Sequence, residues 1–298
     1  MNSTEKENLD RLFLYHGNVL GATRTTVMAL NSLIIALTQL DCVKGKIMER
    51  YNELATIIRT TQPRIIGLNH MLEQFETEIQ PYLDAKADVL RNMAVEILKK
   101  KVKLYESRAE RVVRHGIQFI EEGDGIILHS ASSVVTNILL QAKKVLLKDF
   151  SVIVLQLDPV RTPQVALSLR QEEIPHMVIP AFNLCHYVGQ ANKILLGAVS
   201  IYRDMKAVAP VGTSSTLSLC RYSNIKSYLF ANSFHFSHGL GDSQRIRREE
   251  SDVSSSRTTY HLTTHSHDLV DLDLIDVLVD EDGIVDNERL SQIFHELR

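Results

Sequence analysis

Two periodicities divide the chain. Through the first ~120 residues apolar positions recur three and four apart. Val27, Leu30, Ile34 and Leu37 make one stripe, and Leu90, Met93, Ala94, Ile97 and Leu98 make another. Such spacing lines one face of a helix and predicts an N-terminal all-helical bundle over residues 1–118. Pro63 and Pro81 punctuate the region, each suited to the first turn of a new helix, where the missing N–H costs nothing. The last helix is expected from about Tyr82 to about His115. From Phe119 the pattern changes to short apolar runs bounded by turn residues: Gly125–His129, Ser151–Leu155, His176–Ile179, Ile194–Ser200 behind Lys193, and Ser227–Ala231. Runs this short, with helical patterns in most gaps, predict strands buried on both faces. The fold class is therefore α/β: a helical bundle followed, over residues 119–298, by a doubly wound, mainly parallel, Rossmann-like sheet domain.

Two later segments depart from that alternation. Residues 237–257 are polar and serine-rich, which predicts a mobile loop at about 237–260. Within it, Arg247-Arg248-Glu249-Glu250-Ser251 would suit a kinase that reads upstream arginines, although a solvated loop needs no such role. His261, His265 and His267 have a spacing that can hold zinc, but no cysteine is near and no further ligand pattern supports it. They are read as loop residues, and no metal is expected. In the acidic closing segment, Leu274–Val279 reads as a strand interrupted by Asp276, and Asn287–Leu297 as an amphipathic terminal helix.

With 298 residues, 44% hydrophobic and 23% charged, the chain is long enough for two cores and ordinary in composition. A net charge of −3 gives no global attraction to nucleic acid or to an anionic membrane, and neither partner is expected. Cys42, Cys185 and Cys220 are few, odd in number and far apart, which fits a reducing, cytoplasmic setting. No apolar run approaches the ~20 residues of a membrane span.

Candidate chemistry falls in two places. His129-Ser130-Ala131-Ser132-Ser133 joins the first strand to a helix, so its hydroxyls and free backbone N–H groups form a potential anion cradle. Plain N-capping by serine explains the same residues. The last bundle helix carries Lys99, Lys100, Lys101, Lys103, Arg108, Arg111 and Arg114 against Glu106 and Glu110. That face is either solvated or a basic surface for an acidic or phosphorylated protein partner.

The order of several short stretches is more telling than any one of them. Phe119 to His129, Phe150 to Val154, Pro159, Ile174-Pro175, Ile194 to Ala198, Gly212-Thr213, Ser233 to Phe236, and Gly283-Ile284 after a closing strand together resemble the initiation factor 2B family. That family joins the alpha, beta and delta regulatory subunits of the exchange factor for initiation factor 2 with isomerases of methylthioribose 1-phosphate and ribose 1,5-bisphosphate. The resemblance covers most of the chain and is greatest to the alpha subunit.

An isomerase reading fails at the positions the resemblance would make catalytic. Where such isomerases have Thr-His-Cys-Asn, this chain has Leu128-His129-Ser130-Ala131, and after Gly197-Ala198 an aspartate is replaced by Val199. Gln156, Pro163, Pro180, Asn192 and Ala209 likewise depart from the residues common in the family. The resemblance thus implies a non-catalytic regulatory subunit, without a cofactor, that forms a homodimer and joins beta, gamma, delta and epsilon subunits. Its further partner would be initiation factor 2, especially its phosphorylated alpha subunit, met by the basic helix. A relict sugar-phosphate pocket would comprise His129, Ser130, Ser132, Ser133, Gln156, Arg161, Gly197, Gly212 and Thr213. The alternative is an isomerase or sugar-phosphate sensor of the same family.

Overall fold

Strand β4 (Lys193–Gly197) shows why the sheet forms where it does: Ile194 and Leu196 enter one core, while Leu195 between them enters the core on the opposite face. β1 (Gly125–Leu128) and β2 (Ser151–Gln156) divide in the same way, Ile127, Ile153 and Leu155 against Ile126, Leu128, Val152 and Val154. A period of two with both faces apolar demands cover on both sides. The computed structural model describes residues 22–39, 44–60, 65–157, 159–241, 246, 248–254 and 258–296.

Four helices lead: α1 (22–38), α2 (Lys44–Arg59), α3 (Ile66–Ile79) and the long α4 (Ala87–Gly116). Leu30, Leu37, Leu90, Ala94, Ile97 and Leu98, taken from the predicted stripes, are buried together with Tyr51, Met71, Phe75 and Tyr105. Pro81 lies in a 3₁₀ turn, Gln80–Tyr82, directly after α3, and Pro63 lies outside the described residues.

The remaining elements are α5 (Ser133–Leu146), α6 (Arg161–Gln171), β3 (His176–Pro180), β5 (Ser200–Tyr202), β6 (Lys206–Pro210), α7 (Thr213–Tyr222), β7 (Lys226–Phe230), β8 (Phe236–Ser237), β9 (Arg248–Ser254), β10 (Thr259–His265), β11 (His267–Asp271), β12 (Val277–Asp280), β13 (Gly283–Ile284) and α8 (Asn287–Glu296). Among the described residues seven strands form the main sheet in the order β13-β12-β7-β4-β1-β2-β3, parallel except for β13. The core on one face draws on the end of α4 with α5 and α6, and the core on the other on α7 and α8. α4 can lie against α5 because Gly116 has no side chain: a Cβ there would stand 2.3 Å from Ile138 Cδ1.

Three expectations need correction. The run beginning at Ile194 does not continue as one strand through Ser200; it ends at Gly197, and β5 then joins β6, β8 and β11 in a separate four-stranded sheet. Helices α5, α6 and α7 fill most of the gaps between the parallel strands, as expected, and from β3 to β4 the chain uses 3₁₀ turns over Ala181–His186 and Val188–Gln190. The expected mobile loop holds instead, in its described part, two antiparallel strands, with His261 and His265 on β10 and Ser251 on β9. His267 lies on β11. Alternating polar and apolar residues such as Thr259-Tyr260-His261-Leu262 suit a strand even where composition reads as loop. Finally, Asp276 does not interrupt a strand: it precedes β12 and accepts hydrogen bonds from the Ser227 backbone N–H (2.7 Å) and hydroxyl (2.9 Å).

One segment ties the helical layer to the sheet. After β7, Phe234 enters the core of the helical layer, stacked on Tyr105 with ring centroids 5.6 Å apart and pressed against Gly67. Lys193, the charge opening β4, is buried and satisfied by Asp124 (2.8 Å), Glu121 (2.6 Å) and the Phe119 carbonyl (2.9 Å).

Candidate functional site at the sheet switch point

In an open α/β sheet, a crevice forms beyond the strand carboxyl ends where the strand order reverses. Here that point lies between β1 and β4, neighbours whose sequence successors run to opposite sides of the sheet. β1 delivers His129 and Ser130, both buried, and Ser132 caps α5, its hydroxyl accepting a 3.5 Å bond from the Val135 N–H. Across the crevice Gly197 ends β4. A Cβ at Gly197 would stand 2.4 Å from Ser132 Oγ and 2.9 Å from Ser132 Cβ, so the two walls meet only because this residue is glycine.

The next group of predicted residues arrives through the second sheet. Gly212, at φ 85°, turns the chain from β6 into α7, and Thr213 Oγ1 donates 2.5 Å to the Pro210 carbonyl. The anion position at the start of α7 is taken from within the chain: Asp268 Oδ2 accepts the Ser214 N–H at 3.1 Å. His129 is fully buried, its Nε2 toward Gly212, and neither ring nitrogen has a well-formed hydrogen bond. Burial lowers its pKa to about 4, only partly opposed by the Gly212 backbone and the Asp268 carboxylate, so the ring is neutral at pH 7. Arg161 opens α6, and its charge adds to burial in lowering the pKa of His267 to about 4.

The predicted cradle residues thus gather at one end of the sheet: Ser132 against Gly197, His129 against Gly212, and Arg161 beside the His267-Asp268 pair. Gln156 ends β2 as an exposed residue. Ser133 begins α5 but lines a different space, a cleft of about 900 Å³ between α1, α4 and α5 whose other walls include Arg24, Glu110, Arg114 and Gln141. His267 entered the sequence reading only in a zinc-like spacing, and Asp268 was not singled out as a site residue. Their placement against α6 and α7 depends on the pairing of β11 with β6, which local pattern does not encode.

The chemistry available is limited. Val199, next after Gly197-Ala198, offers only its N–H, donated to Val208 O at 2.8 Å. Ser130 and the neutral His129 are what β1 supplies to the crevice.

The basic helix is not one continuous solvated face. Lys99, Lys100, Lys103 and Arg114 are exposed, Lys99 paired with Glu96 at 3.0 Å. Lys101 is buried and binds Gln74 (3.0 Å) and the Glu78 carboxylate on α3. Arg108 and Arg111 turn toward the acidic corner after β12: Arg108 donates 2.7 Å to Ser233 Oγ and lies 3.4 Å from Glu281, and Arg111 bonds Asp282. Spacing placed these cations on a helix surface without showing which of them meet carboxylates from a segment ~170 residues later.

A helical layer, a mainly parallel sheet with polar residues gathered at its switch point, and a second small sheet define an α/β protein. A family profile for the initiation factor 2 subunit family matches residues 18–287, and the chain belongs to that family. It is similar to a putative translation initiation factor eIF-2B subunit 2-like protein of Pyrococcus horikoshii, 29% identical over 167 residues. That match covers 55% of this chain and 59% of the relative, so it spans little more than half of the relative's length. It is also similar to a ribose 1,5-bisphosphate isomerase of Pyrococcus furiosus, 22% identical over 252 residues, covering 80% and 78% of the two chains. Among solved structures, the translation initiation factor eIF-2B of Pyrococcus horikoshii superposes with a TM-score of 0.78 at 22% identity, over 96% of this chain and 98% of that one. The family therefore contains both initiation factor subunits and sugar-phosphate isomerases.

Proposed function

We propose that this chain is a non-catalytic, alpha-like regulatory subunit of the guanine nucleotide exchange factor for translation initiation factor 2. The observation that carries this reading is the crevice itself. The positions that the family resemblance would make catalytic hold Ser130 and Val199, and the nearby carboxylate, Asp268, is engaged by the start of α7. Moving a proton between sugar carbons needs a general acid or base within reach of the substrate. In this role the chain assembles with a second copy and with the beta, gamma, delta and epsilon subunits. Lys99, Lys100, Lys103 and Arg114, the exposed cations of the basic helix outside the contact with Asp282, are offered to the phosphorylated alpha subunit of initiation factor 2. The test is co-purification of the tagged chain from its source cells. Recovery of the other exchange-factor subunits supports the reading, and turnover of ribose 1,5-bisphosphate or methylthioribose 1-phosphate by the isolated protein overturns it.

A second reading is favoured by one feature, the buried His129 ring without a well-formed hydrogen bond beside Gly212. A sugar phosphate occupying the crevice would give that ring a partner and make the subunit a metabolite sensor. A ligand at 100 times its Kd adds ~2.7 kcal/mol of stability, so a thermal shift with a panel of sugar phosphates separates sensor from relic.

A further inference from the structure

β9 and β10 form a two-stranded ribbon, and β10 is unusual. All seven residues of β10 are exposed, and among the described residues it pairs with β9 alone, in a sheet of two strands. It contains no Asp, Glu, Lys or Arg, and three of its seven residues are threonine. Edge strands are ordinarily protected by charges, proline or a bulge against pairing with another chain. β10 has none of the charges. Its Tyr260 and Leu262, 51% and 44% exposed, share one face with Val253 of β9, which pairs with Tyr260. An isolated two-stranded ribbon is marginal in water, and a third strand with an apolar face is what stabilises it.

We propose that β10 is a self-association edge that pairs antiparallel with β10 of a second copy. The charges choose this edge and this occupant. β9 carries Arg248, Glu249, Glu250 and Asp252, so pairing through β9 would set carboxylates of the two copies against each other. Pairing through β10 sets none. With a two-fold axis at Leu262, the middle residue, all seven positions find partners: Leu262 faces Leu262, Tyr260 faces Thr264, His261 faces Thr263, and Thr259 faces His265. The product is a four-stranded sheet, β9-β10-β10-β9, whose stripe of Tyr260 and Leu262 from both copies runs on to Val253 at each side. One strand pair is smaller than a standard interface, so the association is weak and depends on concentration. It is separate from the switch-point crevice and does not depend on the proposed regulatory role.

Sedimentation velocity of the full chain from about 5 to about 200 µM tests it, in a range where so small an interface should be partly populated. The average mass is expected to rise about two-fold across the range, to stay at its low-concentration value in Leu262→Lys, and to rise as in the parent in Glu250→Lys, which alters β9 alone. A second variant guards against a folding defect: in a chain lacking Cys42 and Cys185, Leu262→Cys should yield an oxidised covalent dimer that Ser251→Cys does not. A constant mass for the parent, an undiminished rise in Leu262→Lys, or equal cross-linking at 251 and 262 overturns the proposal.

Discussion

Removing the Arg108 side chain should loosen the helical layer from the sheet. Arg108 donates to Ser233 Oγ at 2.7 Å, its Nε lies 3.4 Å from Glu281, and its guanidinium carbon sits 4.0 Å above the Phe234 ring. Glu281, with a side chain 5% exposed, also accepts the Ser233 N–H at 2.8 Å and the Ser233 hydroxyl. Arg108→Ala leaves that nearly buried carboxylate without its cation and uncovers a ring seated in the other core. Summing a charged hydrogen bond and a partly exposed cation–π contact gives a loss of about 2–4 kcal/mol. Glu281→Gln keeps the shape and one acceptor and should cost about 1–2 kcal/mol, and the double variant should show a coupling of about 1–3 kcal/mol. Arg111→Ala is the control: Arg111 and Asp282 are both about half exposed, and the loss should stay under about 1 kcal/mol. Urea unfolding followed by tyrosine fluorescence and by far-ultraviolet circular dichroism measures all four. Because the contact joins the layers, the two probes should separate in Arg108→Ala. A loss below about 0.5 kcal/mol with coincident transitions would refute the reasoning.

Three other outcomes follow from the same geometry. His129, His235 and His267 are held neutral by burial, each with a pKa lowered to about 4 from 6.5. The unfolded chain therefore binds more protons across that window, so stability falls as pH drops from about 6.5 to about 4, by up to about 1.4 kcal/mol per pH unit for each ring. A urea midpoint unchanged between about pH 7 and about pH 4.5 would contradict this. Gly197→Ala should cost about 1–3 kcal/mol, since Ser132 cannot yield without moving the start of α5, and should abolish any sugar-phosphate thermal shift. Charge reversal at Lys99, Lys100 and Lys103 should weaken binding of phosphorylated initiation factor 2 while stability stays within about 0.5 kcal/mol, as expected for exposed side chains. Unchanged binding would remove the helix from that role. Reversal at Arg108 or Arg111 would not be informative, because it also breaks the contacts to Glu281 and Asp282.

The sequence by itself determined the large-scale order: apolar stripes three and four apart made helices, short doubly apolar runs made parallel strands, and the glycine and serine positions at their ends marked the crevice. These properties are local, set by helix and strand period and by what a helix start can cap. The tertiary structure decided what depends on residues far apart. Val199 falls in the passage between two sheets because β5 and β6 form a separate sheet with β8 and β11. His267 and Asp268 reach the crevice through β11, and the cations of α4 divide into a clasp and an exposed set according to where Glu78, Glu281 and Asp282 stand. The segment read as a loop pairs as strands for a related reason: its composition is polar enough for solvent, while its alternation allows a ladder that forms only when two stretches are aligned. Periodicity reports which face of an element is apolar, but not which distant charge will be brought against its polar face.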